Sequence, residues 1–150
     1  MKIISLNRRA LFDYHIIEKF EAGIVLTGAE AKSCRVHSTN LRDSYITEKN
    51  GDMVILNMHI HEYKFAIKDE QDPKAMRKLL LHKKQINKLL GKVREKGMTI
   101  VPLSMYFNTK GIVKVEIALV RAKKDVDRRE TIKEREWQRE KQRLMSQKNF

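Results

Sequence analysis

The chain has 150 residues and a mass of 17.7 kDa, one domain's worth of polypeptide with room for an appendage. Hydrophobic residues at 41% suffice for a packed core, and charged residues at 34% are too many for a membrane-embedded chain, so wholly disordered and membrane-spanning readings are excluded. With 32 Lys and Arg against 19 Asp and Glu the formal charge is +13, a self-repulsion that a polyanion relieves, with nucleic acid ahead of anionic lipid.

Along the chain, the first nine residues bring charge back before any apolar run develops. The longest uncharged stretch, residues 97–109, falls short of the roughly 20 residues needed to cross a bilayer. The single Cys34 can form no internal disulfide, and with five scattered histidines it makes no cysteine-rich zinc site. A cytoplasmic protein without membrane attachment, metal or cofactor is expected.

The first predicted strand runs through residues 12–26, with Phe12, Tyr14 and Ile16 on one face and Gly23 allowing a bend. A short helix follows over 29–36. Asn50-Gly51 tolerates the positive φ of a type I′ turn and predicts a hairpin of residues 43–49 and 53–61. Asp72 and Pro73 read as a helix start, and Met76, Leu79, Leu80, Ile86, Leu89, Leu90 and Val93 recur at helical spacing, predicting two short helices. Their opposite face would carry Arg77, Lys78, Lys84, Lys88 and Lys92. Alternation resumes through Thr99, Val101, Leu103, Met105 and Phe107, then Val113, Val115, Ile117 and Leu119, with Pro102 requiring an edge or a bulge.

This order predicts a mainly β fold: a small closed antiparallel barrel of oligonucleotide-binding type with about three short flanking helices and a basic C-terminal tail. An open α+β sandwich satisfies the same pattern. A boundary falls near residue 121. Residues 121–150 hold 11 basic and 6 acidic side chains and few large apolar ones, so 1–120 form the body and 121–150 the tail.

Within the tail, Arg128, Arg135, Arg139 and Arg143 fall on one helical stripe and Lys133, Trp137, Lys141 and Met145 on another. Like charges four apart repel, so an isolated helix here is only partly formed and orders upon an anionic partner. Trp137, the only tryptophan, either packs back on the body or stacks in the partner.

No nucleotide-binding or hydrolase motif occurs: Gly91-Lys92 lacks the glycine of a phosphate loop. His59 and His61 share a strand face but find no third ligand, and read as solvated histidines. Cys34 beside Lys32 and Arg35 reads as a buried small hydrophobe more readily than as a reactive thiol. Glu21 and Glu30 read as salt-bridge or hydrogen-bond acceptors rather than an acid/base pair. If residues 28–35 begin a helix, its start favours an anion, and Lys32 and Arg35 lie together to address phosphate; an ordinary solvated turn is the alternative.

Several ordered words carry a resemblance: Leu6-Asn7-Arg8-Arg9-Ala10, Phe20-Glu21-Ala22-Gly23-Ile24, Gly28-x-Glu30-x-Lys32-Ser33-x-Arg35, Asn40-Leu41-x-Asp43-Ser44-Tyr45, Arg77-Lys78-Leu79-Leu80-Leu81-His82, Thr99-Ile100-Val101-Pro102-Leu103 and Ile132-Lys133-Glu134-Arg135-Glu136-Trp137. Together they resemble the bacterial SsrA-binding protein (small protein B) family, partners of transfer-messenger RNA in ribosome rescue. The resemblance implies an oligonucleotide-binding-type barrel that holds the tRNA-like domain of that RNA and brings it to stalled ribosomes. It also implies a tail, unstructured when free, that becomes helical in the vacant mRNA channel near the small-subunit decoding centre.

By that resemblance Glu21, Lys32, Ser33, Arg35 and Lys114 face the RNA, with Lys123 and Lys124 just before the tail. Asp127, Arg128, Arg129 and the segment holding Ile132, Lys133, Arg135 and Trp137 match the tail motif that engages the ribosome, and Arg139 continues its arginine stripe. The family's usual Gly-Lys-Lys reads Ala122-Lys123-Lys124 here, Asp-Lys-Arg reads Asp127-Arg128-Arg129, and Ala29 stands where Thr or Trp is more usual. The expected function is a non-enzymatic RNA-binding adaptor, monomeric when free. A structural ribosomal protein and an RNA-processing enzyme are the rivals.

Overall fold

Asn7 sets the first turn of the chain. Its side-chain carbonyl accepts from the Ala10 N–H at 3.2 Å while its amide donates to the Pro102 carbonyl at 2.8 Å, so strand β1 (Lys2–Leu6) ends and helix α1 (Arg8–Asp13) begins at a fixed point. In the computed structural model, which describes residues 1–67, 71–95 and 97–148, there follow β2 (Tyr14–Ile24), α2 (Gly28–Val36), β3 (Tyr45–Lys49), β4 (Asp52–Leu56), β5 (Arg77–Leu80), α3 (Lys83–Val93), β6 (Met98–Phe107), β7 (Val113–Ala122) and α4 (Asp125–Lys148). The strand expected over 12–26 thus starts at Tyr14, and Phe12 belongs to α1, because the Asn7 cap makes the preceding residues helical.

Every strand pairing is antiparallel, in the order β1-β6-β3-β4-β5-β2-β7, and β7 also pairs with β6. The ladder from β6 through β3, β4, β5, β2 and β7 therefore returns to β6, with β1 added outside the circuit. Three short helices and the longer α4 accompany this mainly β sheet.

The β3–β4 hairpin turns on Asn50 and Gly51, at φ 52° and 84°, as a type I′ turn demands. β4 is shorter than the alternation to residue 61 suggested. Asn57 at φ 61° breaks the strand, yet Met58 and Ile60 beyond it remain fully buried. Pro102 sits at a register shift between β6 and β7 rather than on an edge, since β6 pairs with three neighbours.

The expected helix pair between the hairpins is corrected. Asp72 stabilises a tight turn, accepting from the Lys74 N–H at 3.0 Å, and residues 77–80 form β5, where Arg77 and Leu79 point inward and Lys78 and Leu80 outward. Only α3 is helical, burying Leu89 and packing Ile86, Leu90 and Val93 against the core. The period-two pattern of β5 was hidden because its inward position holds an arginine. β5 also crowds β2: a Cβ on Gly23 would lie 3.2 Å from the Leu80 Cβ.

The interior is filled by Ile55, Met58, Leu79, Ile100, Met105 and Ile117, all at most 2% exposed. A second, smaller cluster of Ala10, Val101, Leu103, Ala118 and Val120 lies under α1 on the other face of β6 and β7. Burial at this density stabilises by about 25 cal/mol per Å² of apolar surface removed from water.

Arg77 is only 3% exposed and its charge is fully answered. Nε donates to Glu30 at 2.5 Å, and the remaining guanidinium nitrogens reach the carbonyls of Met58 at 2.8 Å and Pro73 at 3.1 Å. One side chain thereby ties α2, the segment after β4 and the turn before β5 together. Arg77→Ala should destabilise the protein by about 3–5 kcal/mol, because Glu30 and the carbonyls lose their donor in a dry site. Urea unfolding checks this, and a loss below about 1 kcal/mol would contradict the analysis.

Candidate nucleic-acid interface

Two of the expected RNA-facing residues lie on the outer face of β2 and β7. Alternation turns Phe20 and Ala22 inward and Glu21 outward, while Val113 and Val115 turn inward and Lys114 outward. Lys114 stands opposite Gly23 on one side and Tyr106 on the other, so no large β2 side chain stands directly across from it. Glu21 stands opposite Glu116, a repulsive pairing relieved in two ways. The Tyr106 hydroxyl donates to the Glu21 carboxylate, and Lys19 lies 4.0 Å from Glu116. Burial first, then the hydrogen bond to Glu21, raises the Tyr106 phenol above its ordinary range and keeps it a donor.

Beyond the end of β2, Thr27 caps α2 by accepting from the Glu30 N–H, and Glu30 returns a bond to the Thr27 N–H, a reciprocal capping box. With Arg77 holding Glu30 from below, α2 is fixed at both its start and its buried face. Lys32 and Arg35 are exposed on it, and Lys32 Nζ lies 5.8 Å from the centre of the Tyr63 ring. Ser33 is placed otherwise: it is 1% exposed and its hydroxyl donates to the His61 carbonyl at 2.5 Å, so it anchors the helix rather than facing solvent.

The segment after β4 adds features the sequence reading passed over. His37 and His61 stack with ring centres 4.1 Å apart, and Tyr63 meets Phe65 edge to face at 5.6 Å. Phe65 is 78% exposed. Exposed rings interleaved with Lys32 and Lys64 form the kind of surface on which bases stack while cations hold phosphate. Their signal in the sequence is Tyr63-Lys64-Phe65, two rings about a lysine just past the strand expected to end at residue 61. His59 and His61 form no metal cluster with other His, Cys, Asp or Glu among the described residues.

The third group lies where α4 leaves β7. Lys123 Nζ donates to the Leu11 carbonyl at 3.2 Å and to Thr131 at 2.9 Å, and the Lys124 N–H faces Asp127 at 3.4 Å. Asp127 also meets His15 of β2 at 3.2 Å, a hydrogen bond that holds its carboxyl below the usual range. Arg128 lies 3.8 Å from Asp13 of α1, and Arg135 lies over the Phe12 ring at 5.9 Å. From Ile132 through residue 146 every described side chain is exposed, including Lys133, Trp137 at 60% and Arg139. Arg129 is likewise exposed. Trp137 therefore does not pack into the body.

A family model described as SmpB protein matches residues 4–147. The SsrA-binding protein of Wolbachia sp. subsp. Brugia malayi is 56% identical over 144 residues, covering 96% of this chain and 97% of the relative. That of Thermosipho melanesiensis is 51% identical over 136 residues, covering 91% and 92%. A solved structure presented as "tmRNA-SmpB: a journey to the center of the bacterial ribosome" aligns with a TM-score of 0.67 at 44% identity, over 81% of this chain and 85% of that one.

Cys34 lies on the buried side of α2, and burial, helped by Glu30, pushes its thiol up to about 11. Alkylation at about pH 8 should therefore run roughly tenfold or more slower in the native protein than after unfolding. Equal rates would show that α2 is not seated as described.

Proposed function

This chain belongs to the SmpB family, and from that membership we propose that it is the RNA-binding adaptor of trans-translation. It binds the tRNA-like domain of transfer-messenger RNA and delivers it to stalled ribosomes. The observation that carries this reading is the division of charge: cationic side chains project from a rigid sheet and its capped helix α2, and a second set runs along α4, whose exposed side chains bury no core.

The circuit of pairings through β6, β3, β4, β5, β2 and β7 supports a closed barrel of oligonucleotide-binding type as the body, residues 1–120. On it, Lys32, Arg35 and Lys114 contact phosphates, Glu21 accepts from a ribose or base, Ser33 acts by seating α2, and Lys123 and Lys124 continue the surface toward the tail. Residues 121–150 form the arm. A helix with so little buried surface draws small tertiary support and is marginal in water. It therefore loosens when free and becomes helical where ribosomal phosphates neutralise its arginines in the vacant mRNA channel. Asp127, Arg128, Arg129, Ile132, Lys133, Arg135, Trp137 and Arg139 are its contact set, near the decoding centre of the small-subunit rRNA.

The adaptor performs no chemistry of its own in this reading; peptide transfer belongs to the ribosome. The two carboxylates weighed as an acid/base pair are otherwise engaged, Glu30 with Arg77 and Glu21 with Tyr106. The work is cytoplasmic, where ribosomes are.

Removing residues 131–150 should leave affinity for the tRNA-like RNA nearly intact and abolish tagging on stalled ribosomes. Equal loss of both would refute the division of labour. Trp137→Ala should impair ribosome engagement with no more than a small change in melting temperature, as its 60% exposure requires.

A further inference from the structure

Where α1 meets α4, four arginines and one aromatic ring share an open surface cleft. Arg8, Arg9, Arg42 and Arg135 line it together with Phe12, and its volume is about 360 Å³. The Arg9 guanidinium lies 5.2 Å and that of Arg135 5.9 Å from the centre of the ring. Arg42 is brought there by the 40–43 turn, whose Asn40 side chain accepts from the Arg42 N–H at 2.9 Å and whose Leu41 carbonyl receives the Asn7 amide. Among the described residues one carboxylate is ion-paired with the group: Asp13 takes Arg9 at 3.0 Å, and it also lies 3.8 Å from Arg128. Among the described residues neither Arg8 nor Arg42 has an ion pair, and Arg135 has none beyond its contact with Phe12.

Such a cluster repels itself unless an anion enters, and guanidiniums match phosphate oxygens in paired geometry. Three of the arginines belong to the body and the fourth to the tail. We propose that this cleft binds the phosphodiester backbone of a single-stranded RNA segment, and that the bound phosphate clasps α4 to the body by bridging Arg135 to Arg8 and Arg42.

The cleft shares Arg135 with the tail but is separate from the surface around Glu21 and Lys114. It lies at the Tyr14 and Ala122 end of the β2–β7 ladder, and Glu21 is six residues farther along β2 than His15, about 20 Å away. The clasp rests on the reading of this chain as an RNA binder and adds to it a switch: RNA in the cleft determines whether the tail is held.

The test uses the full chain and a single-stranded oligouridylate of about twelve nucleotides. Binding is measured between about 50 and 200 mM salt, and tail motion is read from the fluorescence anisotropy of Trp137. In the wild type the oligonucleotide should raise the anisotropy. The double change Arg8→Gln with Arg42→Gln, both at exposed positions, should weaken binding about tenfold, lower the salt slope by about 1.4 and remove the anisotropy rise. Arg135→Gln should retain part of the binding yet lose the rise, which separates a clasp from simple attachment.

An unchanged slope and anisotropy in the double variant would overturn the proposal, as would an anisotropy rise that survives Arg135→Gln. Affinity for the tRNA-like RNA, measured beside these, should stay within about threefold of wild type in the double variant. Absence of an anisotropy rise in the wild type, with its affinity for the tRNA-like RNA intact, refutes this inference alone; failure of the wild type to bind the tRNA-like RNA refutes the adaptor reading instead.

Discussion

A ladder of backbone hydrogen bonds that comes back to its own starting strand is the constraint on which the other features rest. β6 is held by β1, β3 and β7, and through β7 and β2 it is joined again to β5 and β4. Closure satisfies strand edges that would otherwise invite pairing with another chain, and it fixes the outward direction of alternate side chains. Because the β2–β7 register runs without interruption from Glu18 to Gly23, Glu21 and Lys114 keep a set relation to Tyr106 across β7. The same ladder carries α1 on its far end, where Ala10 packs against Val101 and Ala118.

Charge is distributed over this frame in a way that makes the polyanion part of the design. Within the body the buried guanidinium of Arg77 is matched by Glu30 and by carbonyls, whereas the exposed cations of α2, β7 and the α1–α4 cleft outnumber their carboxylates. A helix of 24 residues extends about 36 Å, and α4 presents exposed side chains from Ile132 through Ser146. Its contacts with the body include Asp13, His15 and the Phe12 ring, with Lys123 just before it reaching the Leu11 carbonyl. Contacts of that kind are individually weak in water.

Features written in local chemistry were legible in the sequence. Asn50-Gly51 announced its turn because only residues tolerant of positive φ can make it, and Pro102 announced an edge or a bulge, of which the fold has the bulge, because it has no N–H to give. The short helix after residue 28 was legible for the same reason. Features that depend on distant partners were not. β5 was mistaken for helix since Arg77 fills an inward position that pattern reading reserves for apolar residues, and its justification, Glu30, lies in α2. Ser33 looked like an RNA contact until the fold placed the His61 carbonyl above it. The arginine cleft draws Arg8, Arg42 and Arg135 from three separate stretches, so no window of sequence contains it.

Amide hydrogen exchange on the full unbound chain at low salt probes the central claim most directly. Amides of β6 and β7 should exchange only through global unfolding, while those of residues 132–146 should exchange at nearly the rate of an open chain. Protection of residues 132–146 equal to that of β6 and β7, in the absence of any polyanion, would show an arm stabilised by the body itself and would contradict the account.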